Sequence, residues 1–360
     1  MSALPAANDE RPRLTIVSAW TLLRDFKPIE SIVDGLPMPR GGLVCITAPT
    51  GHGKTTLSAL LQAALCRGLP FAGREVTRGS VLVLAGENPD DYTMHLAATT
   101  QDLGLKGEDL AQFPPMGQLL VVPGTFQFLD EVDYLADYLS ITCADGLVAV
   151  FVDTSAAFFS GDDENDNAAM RRHASALREL CNLPGRPTVF VLCHPTKNAG
   201  PDNLVPRGGG AFLAEVDVNL TLWKDEAGIV TLHHGKSRGP GFDPIRFELA
   251  SIELEGMKDA RGRPIFSVAG RHLAEERAEQ IAAKAGNDQD VLLVAMQRRP
   301  GASLRELAAQ CGWTTGMGKP QVGRTDRTLK ELGRGGHVEQ DRKGTWRLTP
   351  KGQKEADRLP

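Results

Sequence analysis

The residues best suited to do chemistry stand together in Ala48-Pro49-Thr50-Gly51-His52-Gly53-Lys54-Thr55-Thr56. An apolar, partly β-branched run from Gly42 to Thr47 precedes them, and an Ala/Leu-rich run beginning at Leu57 follows. Strand, glycine-bearing loop and helix in that order make a phosphate cradle. The glycines let successive backbone N–H groups turn toward one anion, Lys54 adds a point charge at the β and γ phosphates, and the Thr55 hydroxyl is placed to hold Mg²⁺. These residues predict a nucleoside triphosphate site, with ATP and Mg²⁺ as its ligands. Ala48 stands where such loops usually carry their first glycine, a departure the backbone tolerates if its φ is negative.

Further groups sit where buried strands end. The run Gly79 to Gly86 delivers Glu87, which can orient and polarise an attacking water, or can merely complement the dipole of the helix that follows. Asp90 and Asp91 are the expected caps of that helix. The run Gly146 to Val152 stops at Asp153, the pattern in which a strand presents one carboxylate to the Mg²⁺ sphere. A third run, Thr188 to Cys193, ends at His194, either a phosphate-sensing donor or a histidine satisfied by a carbonyl. Lys197 lies in the polar loop after it, and Arg207 precedes the glycines 208–210. Lys236 and Arg238, two residues apart on a predicted strand, point the same way. In an assembly they could reach a neighbour's nucleotide, and in a monomer they would decorate the surface. The acidic run Asp162-Asp163-Glu164 reads as a solvated loop before a helix containing Arg171 and Arg172.

Continuous apolar strands separated by helical runs imply an α/β fold with a mostly parallel central sheet. The spacing also predicts helices over 54–67 and 128–141, a strand at 119–122, and a hairpin over 218–234 turning at Asp225-Glu226-Ala227-Gly228. With 360 residues, 24% of them charged and 41% hydrophobic, the chain has ordinary globular composition. No apolar run reaches the roughly 20 residues of a membrane span, and the first residues lack a signal-peptide core, so a cytoplasmic protein without membrane contact is expected. The six cysteines form no metal-binding pattern and read as buried reduced thiols.

Charge is unevenly spread. Residues 288–360 hold 14 Lys and Arg against 9 Asp and Glu, or +5, which leaves −10 for the rest of the chain. This tail also has its own pattern of elements. A helix opens at Asp288 or Asp290, a capping box at Ser303-Leu304-Arg305-Glu306 starts a second, and a third spans Lys319 to Leu332. Val322, Leu329 and Leu332 mark its apolar side, leaving Gln321, Arg324, Thr325 and Arg327 outward. Two short strands, Val338-Glu339-Gln340 and Thr345 to Leu348, flank a turn bearing Arg342 and Lys343. Together these make a winged helix-turn-helix. Its third helix would enter the major groove of duplex DNA through Gln321, Arg324 and Arg327, while Arg342 and Lys343 at the wing touch phosphates. Such a domain can also serve as a protein contact.

Residues 37 to about 270 resemble the RecA-like P-loop ATPases, in particular the hexameric replicative helicases of the DnaB and plasmid RepA type. The resemblance rests on Ala48 to Thr55, on Glu87 within Leu84-Ala85-Gly86-Glu87-Asn88-Pro89, on Asp153, on His194 followed by Lys197, and on Lys236-Ser237-Arg238-Gly239-Pro240. It implies that Glu87 is the catalytic base, His194 a polar sensor, and Lys236 with Arg238 a finger acting on the adjacent subunit, with Arg207 a second candidate. It implies further a homo-oligomer, a hexamer, with single-stranded DNA passing through the ring; the loop after His194 could contact that strand through Lys197, or could equally be a passive connection. No N-terminal helical collar domain, primase module or zinc-binding cluster is expected beside this core, which favours a plasmid- or phage-type protein over a replicative helicase proper. The expected division is a segment at 1–36, a RecA-like domain at 37–270, a helical linker at 271–287 and a winged-helix domain at 288–360. The expected function is an ATP-driven DNA motor, a helicase or translocase of plasmid or phage type, with an ATP-gated DNA-binding switch as the alternative.

Overall fold

Apolar runs followed by helices can hide both faces of each strand only if the strands lie parallel and the helices cover the sheet. The computed structural model describes residues 16–110, 117–126, 128–143, 145–164, 166–237, 241–315, 319–342 and 344–359. In it, β1 (Leu43–Thr47), β2 (Ser80–Ala85), β3 (Leu119–Pro123), β4 (Leu147–Asp153), β5 (Thr188–Cys193) and β6 (Val218–Lys224) form the parallel part of one nine-stranded sheet. β7 (Ile229–Ser237), β8 (Ile245–Lys258) and β9 (Pro264–Leu273) extend it antiparallel from β6, giving the order β3-β2-β4-β5-β1-β6-β7-β8-β9. The chain is thus an α/β protein with a large, mostly parallel sheet.

Alternate strand residues feed two cores. Val44, Ile46, Val83, Phe151 and Phe190 pack on one face with α2 (Lys54–Arg67), and the Phe151 and Phe190 rings stack at 4.6 Å. Leu43, Leu84, Val150, Val152 and Val191 pack on the other with α4 (Phe128–Thr142) and α5 (Asn167–Glu179). The pairing is what puts the candidate residues together. β1, β2, β4 and β5 are parallel neighbours or near neighbours, so the loops after their carboxyl ends open on one side of the sheet, where α/β proteins bind ligands. The segment before β1 closes the core's other end through buried Ile32, Val33, Leu36 and Met38. Further upstream, α1 (Ala19–Arg24) is a short helix capped by Ser18. All six cysteines are free thiols, five of them buried.

Three expectations are corrected here. α3 (Pro89–Asp102) is capped by Asn88, whose side chain accepts the Asp91 N–H, while Asp90 and Asp91 lie in its first turn. The residues from 245 to 273, given no structure from sequence, form the long β8–β9 hairpin, whose outer half alternates poorly because much of it is exposed. Arg271 to Leu273 belong to β9, and the break expected at Gly286-Asn287 is absent. α7 runs unbroken over Glu275–Arg298, its first turns held by Ala278 against Ile229 and Leu273, its last by Leu292, Leu293 and Met296 in a separate core. Packing at both ends outweighs the roughly 1 kcal/mol that one helical glycine costs.

Beyond α7 come α8 (Leu304–Gln310), α9 (Val322–Arg334), the antiparallel pair β10 (Val338–Gln340) and β11 (Trp346–Leu348), and α10 (Pro350–Ala356). Ser303 and Glu306 form the capping box of α8 with both of its hydrogen bonds. These elements share a core of Leu292, Leu293, Met296, Leu307, Trp313, Leu329, Leu332 and Val338. The face of α9 differs from expectation. Thr325, Thr328, Leu329 and Leu332 turn inward, the threonine hydroxyls returning to the carbonyls of Gln321 and Arg324, and Val322 stays partly exposed.

Candidate functional site at the strand ends

The loop after β1 begins with Ala48, fully buried, whose N–H donates to the Cys193 carbonyl at 3.2 Å. Ala48 does not have a positive φ, so alanine is accommodated there, whereas Gly51 (φ +76°) and Gly53 (φ +85°) adopt the left-handed region that favours glycine. Gly53 caps α2 without any side chain to satisfy the first N–H groups of the helix. Those groups, at Lys54, Thr55 and Thr56, open on a cavity of about 520 Å³ also lined by Thr50, Glu87, Asp153 and His194.

Lys54 is buried, and its Nζ donates to the carbonyls of Ala48 at 2.7 Å and Pro49 at 3.2 Å. Burial pulls its pKa down, against the opposing pull of Asp153 and Glu87. The Thr55 hydroxyl donates to Asp153 Oδ2 at 2.9 Å. Asp153 is 8% exposed and its pKa is pushed up to about 6, by burial first and by Glu87 as well, with Thr55 and Lys54 acting the other way. Glu87 is tied to β4 through its own N–H, which donates to the Asp153 carbonyl at 3.1 Å, while its carboxylate is half exposed, 3.9 Å from His194 Nε2. Burial first, then Lys54, lower the His194 pKa, with Glu87 acting the other way.

The donor set fits a magnesium-bound phosphate chain. Thr154, beside Asp153 in the cavity wall, has a buried hydroxyl with no hydrogen-bond partner among the described residues. The helix N-terminus has no side-chain cap, and Lys54 stands at it. Among the described residues no group of three or more His, Cys, Asp or Glu could hold a metal unaided. Mg²⁺ normally takes only one or two protein ligands and completes its shell with waters and substrate phosphates, so Thr55 and Asp153 are a sufficient protein share.

The remaining predicted residues stand elsewhere. Arg207 is half exposed and pairs with Glu164 at 3.3 Å. Lys197 is exposed in the loop closed by the Pro195–Pro206 bridge. Lys236, expected to reach outward from β7, instead donates from Nζ to the carbonyls of Leu213, Ala214 and Val216. It thereby caps the C-terminal end of α6 (Gly209–Glu215), where a cation meets the negative end of the helix. Arg238 lies outside the described residues, as does Lys343. In the C-terminal elements, Gln321 donates to the Thr314 carbonyl, and Arg327 and Arg342 are on the surface. Arg324, expected outward, is drawn in: its guanidinium holds Asp288 with two hydrogen bonds and lies 4.5 Å over the Trp313 ring.

The structure adds residues that carry no motif in the sequence. His95 on α3 lies between Thr56 and the Val268 carbonyl, and Lys224, Leu249 and Ser251 line the cavity from β6 and β8. His52 accepts the Lys224 N–H at Nδ1 (2.9 Å) and meets the Trp223 ring edge-on at 4.8 Å.

A family model described as "AAA domain" matches residues 8–200. Among solved structures, an ATPase domain of another protein is similar over 58% of this chain and 81% of that one, with 12% identity and a TM-score of 0.42. No curated protein matches the chain.

Proposed function

The chain belongs to the AAA-domain family, and from that premise we propose that it is a Mg²⁺-dependent ATPase that works as a homo-oligomer on DNA, a translocase or helicase. The observation that carries the reading is the convergence of Lys54, Thr55, Asp153, Glu87 and His194 from four parallel strand ends on one cavity.

In the proposed reaction the uncapped N–H groups of α2 and the Lys54 ammonium bind the phosphates, and Lys54 exchanges its carbonyl partners for phosphate oxygens. Thr55 and Asp153 would hold Mg²⁺, which would neutralise phosphate charge during the transfer. Glu87 accepts a proton from the attacking water as its oxygen bonds the γ phosphorus and the bond to the β–γ bridging oxygen breaks. His194, whose Nε2 stands 3.9 Å from the Glu87 carboxylate, donates to the γ-phosphate and reports its presence. Among the described residues no arginine lines the cavity. Beside Lys54 and Lys224, which line the cavity, a further cation for the transferring phosphoryl group would come from the adjacent subunit, with Arg238 or Arg207 as the finger. Lys236 is assigned to support that strand by anchoring it on α6.

The C-terminal elements are assigned to a winged helix-turn-helix that binds duplex DNA with Arg327, Arg342 and Lys343, while Lys197 meets single-stranded DNA inside a hexameric ring. Arg324 is assigned to hold this module together rather than to read bases. One observation favours the ATP-gated switch as a second reading: the C-terminal elements touch the turn next to the phosphate loop. The two readings separate in one experiment, ATP hydrolysis by the wild type and Glu87→Gln with and without single-stranded DNA. A motor gives DNA-stimulated turnover that falls about 10²- to 10⁴-fold in the variant while nucleotide binding persists. Slow turnover indifferent to DNA would leave the switch, and no nucleotide binding would sink both.

A further inference from the structure

A chain of direct contacts leads from the phosphate loop to the C-terminal elements. At its start, the loop residues Gly51 and His52 are gripped by the end of β6. The Lys224 Nζ donates to the Gly51 carbonyl at 2.8 Å, the Lys224 N–H donates to His52 Nδ1, and Trp223 braces the ring. Burial, then Lys224, Lys54 and Arg334, push the His52 pKa down to about 4, so Nδ1 keeps its lone pair for Lys224 at neutral pH. Arg334 is the last residue of α9, so the end of that helix lies within electrostatic reach of the phosphate loop.

Lys224 leads directly into the β6–β7 turn, which is closed tightly by hydrogen bonds between Asp225 and Ile229 in both directions. Both long helices of the C-terminal part meet this turn. Ile229 packs with Leu273 and Ala278 at the start of α7, and Gln289 further along α7 reaches the Glu226 carboxylate at 3.5 Å. A methyl group placed on Gly335, immediately after α9, would stand 3.5 Å from Glu226 Oε1. Burial raises the Glu331 pKa on the same end of α9, with Glu226 and Asp225 adding to it and Arg327 and Arg334 opposing.

We propose that His52 and Lys224 are positioning residues that tie the phosphate loop to the C-terminal module, so that nucleotide binding and the seating of that module set each other's geometry. The proposal rests on the reading of the cavity as a nucleotide site. Lys224 is the pivot, because it both lines the cavity and fixes Gly51 through its ammonium. A phosphate chain on the loop competes for that ammonium and moves the start of a turn on which α7 and α9 rest. Coupling of this kind is reciprocal: whatever nucleotide does to the module, loosening the module does to nucleotide affinity by the same factor.

The test uses the full chain and Mg-ADP, so that no turnover is needed. Calorimetry gives affinity, and hydrogen exchange followed by mass spectrometry gives protection along the chain. In the wild type, saturating Mg-ADP is expected to slow exchange in the phosphate loop and also at 225–228 and 330–334. Lys224→Met binds more weakly and, once saturated, protects the loop but not the remote segments, and Lys224→Arg recovers part of that remote protection. Glu226→Ala changes an exposed turn residue that does not line the cavity, and is expected to shift Mg-ADP affinity about fivefold through the module alone. Binding with protection confined to the loop and α2, or an affinity unmoved by Glu226→Ala, overturns the coupling and leaves the nucleotide site standing. Failure of Mg-ADP to bind the wild type overturns the nucleotide reading and the coupling with it.

Discussion

Asp153, proposed to serve the metal, is held in the fold at a cost in stability. Its carboxyl is buried beside Thr55 and Glu87, and its pKa in the folded chain is raised from 3.8 to about 6. A folded state that binds the proton more tightly than the unfolded state is favoured at low pH. The contribution is therefore fully present below pH 3.8 and lost as pH rises through 6. The difference corresponds to roughly 3 kcal/mol, an upper bound for a single buried group. Asp153→Asn is thus expected to melt higher than the wild type at pH 7.5 and close to it at pH 4, in thermal scans without nucleotide, while losing Mg-dependent ATP hydrolysis. A wild-type advantage at pH 7.5 would contradict the burial argument. Mg-nucleotide, which favours the ionised carboxylate, should stabilise the wild type more at pH 7.5 than at pH 5.5, and Asp153→Asn should lose that difference.

The elements divide by how much of their burial is local. β1, β2, β4 and β5 are legible in the sequence because each is apolar on both faces, and once they are parallel neighbours Lys54, Glu87, Asp153 and His194 have to converge. β8 and β9 are not, since many of their residues face solvent and their role is to close the cavity from the far side with Leu249, Ser251 and Val268. Lys224 and His95 carry no signal for a related reason: their partners lie 172 or 173 residues away in the chain. At α7, Gly286-Asn287 looks like a stop, whereas packing at both ends carries the helix through. Gly286 is exposed, and a methyl there would meet nothing within 4 Å. Gly286→Ala should therefore stabilise the protein by about 0.5 to 1 kcal/mol in urea denaturation. A loss of stability would mean that this position serves as a hinge. Arg324 has the spacing of an outward helix residue, and the partners that draw it in, Asp288 and Trp313, are not visible in that spacing. Its charged hydrogen bonds make Arg324→Ala costly by about 2 kcal/mol, and Arg324→Lys, which lacks the planar fork, should recover little of it.

At the scale of the whole molecule, the +5 charge of residues 288–360 against −10 elsewhere favours an anionic partner for the C-terminal part. If Arg327 and Arg342 touch phosphates, each alanine substitution should lower the slope of log affinity against log salt for duplex DNA by about one. The proposed use of a neighbour's arginine makes a sharper demand, because the two halves of the reaction then belong to different copies. Glu87→Gln removes the base from a protomer's own site, and Arg238→Ala removes the finger that it lends. Each variant alone should be inactive or nearly so, by about 10³- to 10⁵-fold for the finger. Mixed in equal amounts, they place an intact Glu87 opposite an intact Arg238 at about a quarter of the interfaces of a randomly assembled ring. ATP hydrolysis should return to a comparable fraction of wild type and fall again on dilution. If mixing restores nothing while gel filtration shows that the two variants co-assemble, Arg238 acts within its own protomer or not at all. The same mixture with Arg207→Ala then decides whether Arg207, once released from Glu164, is the finger.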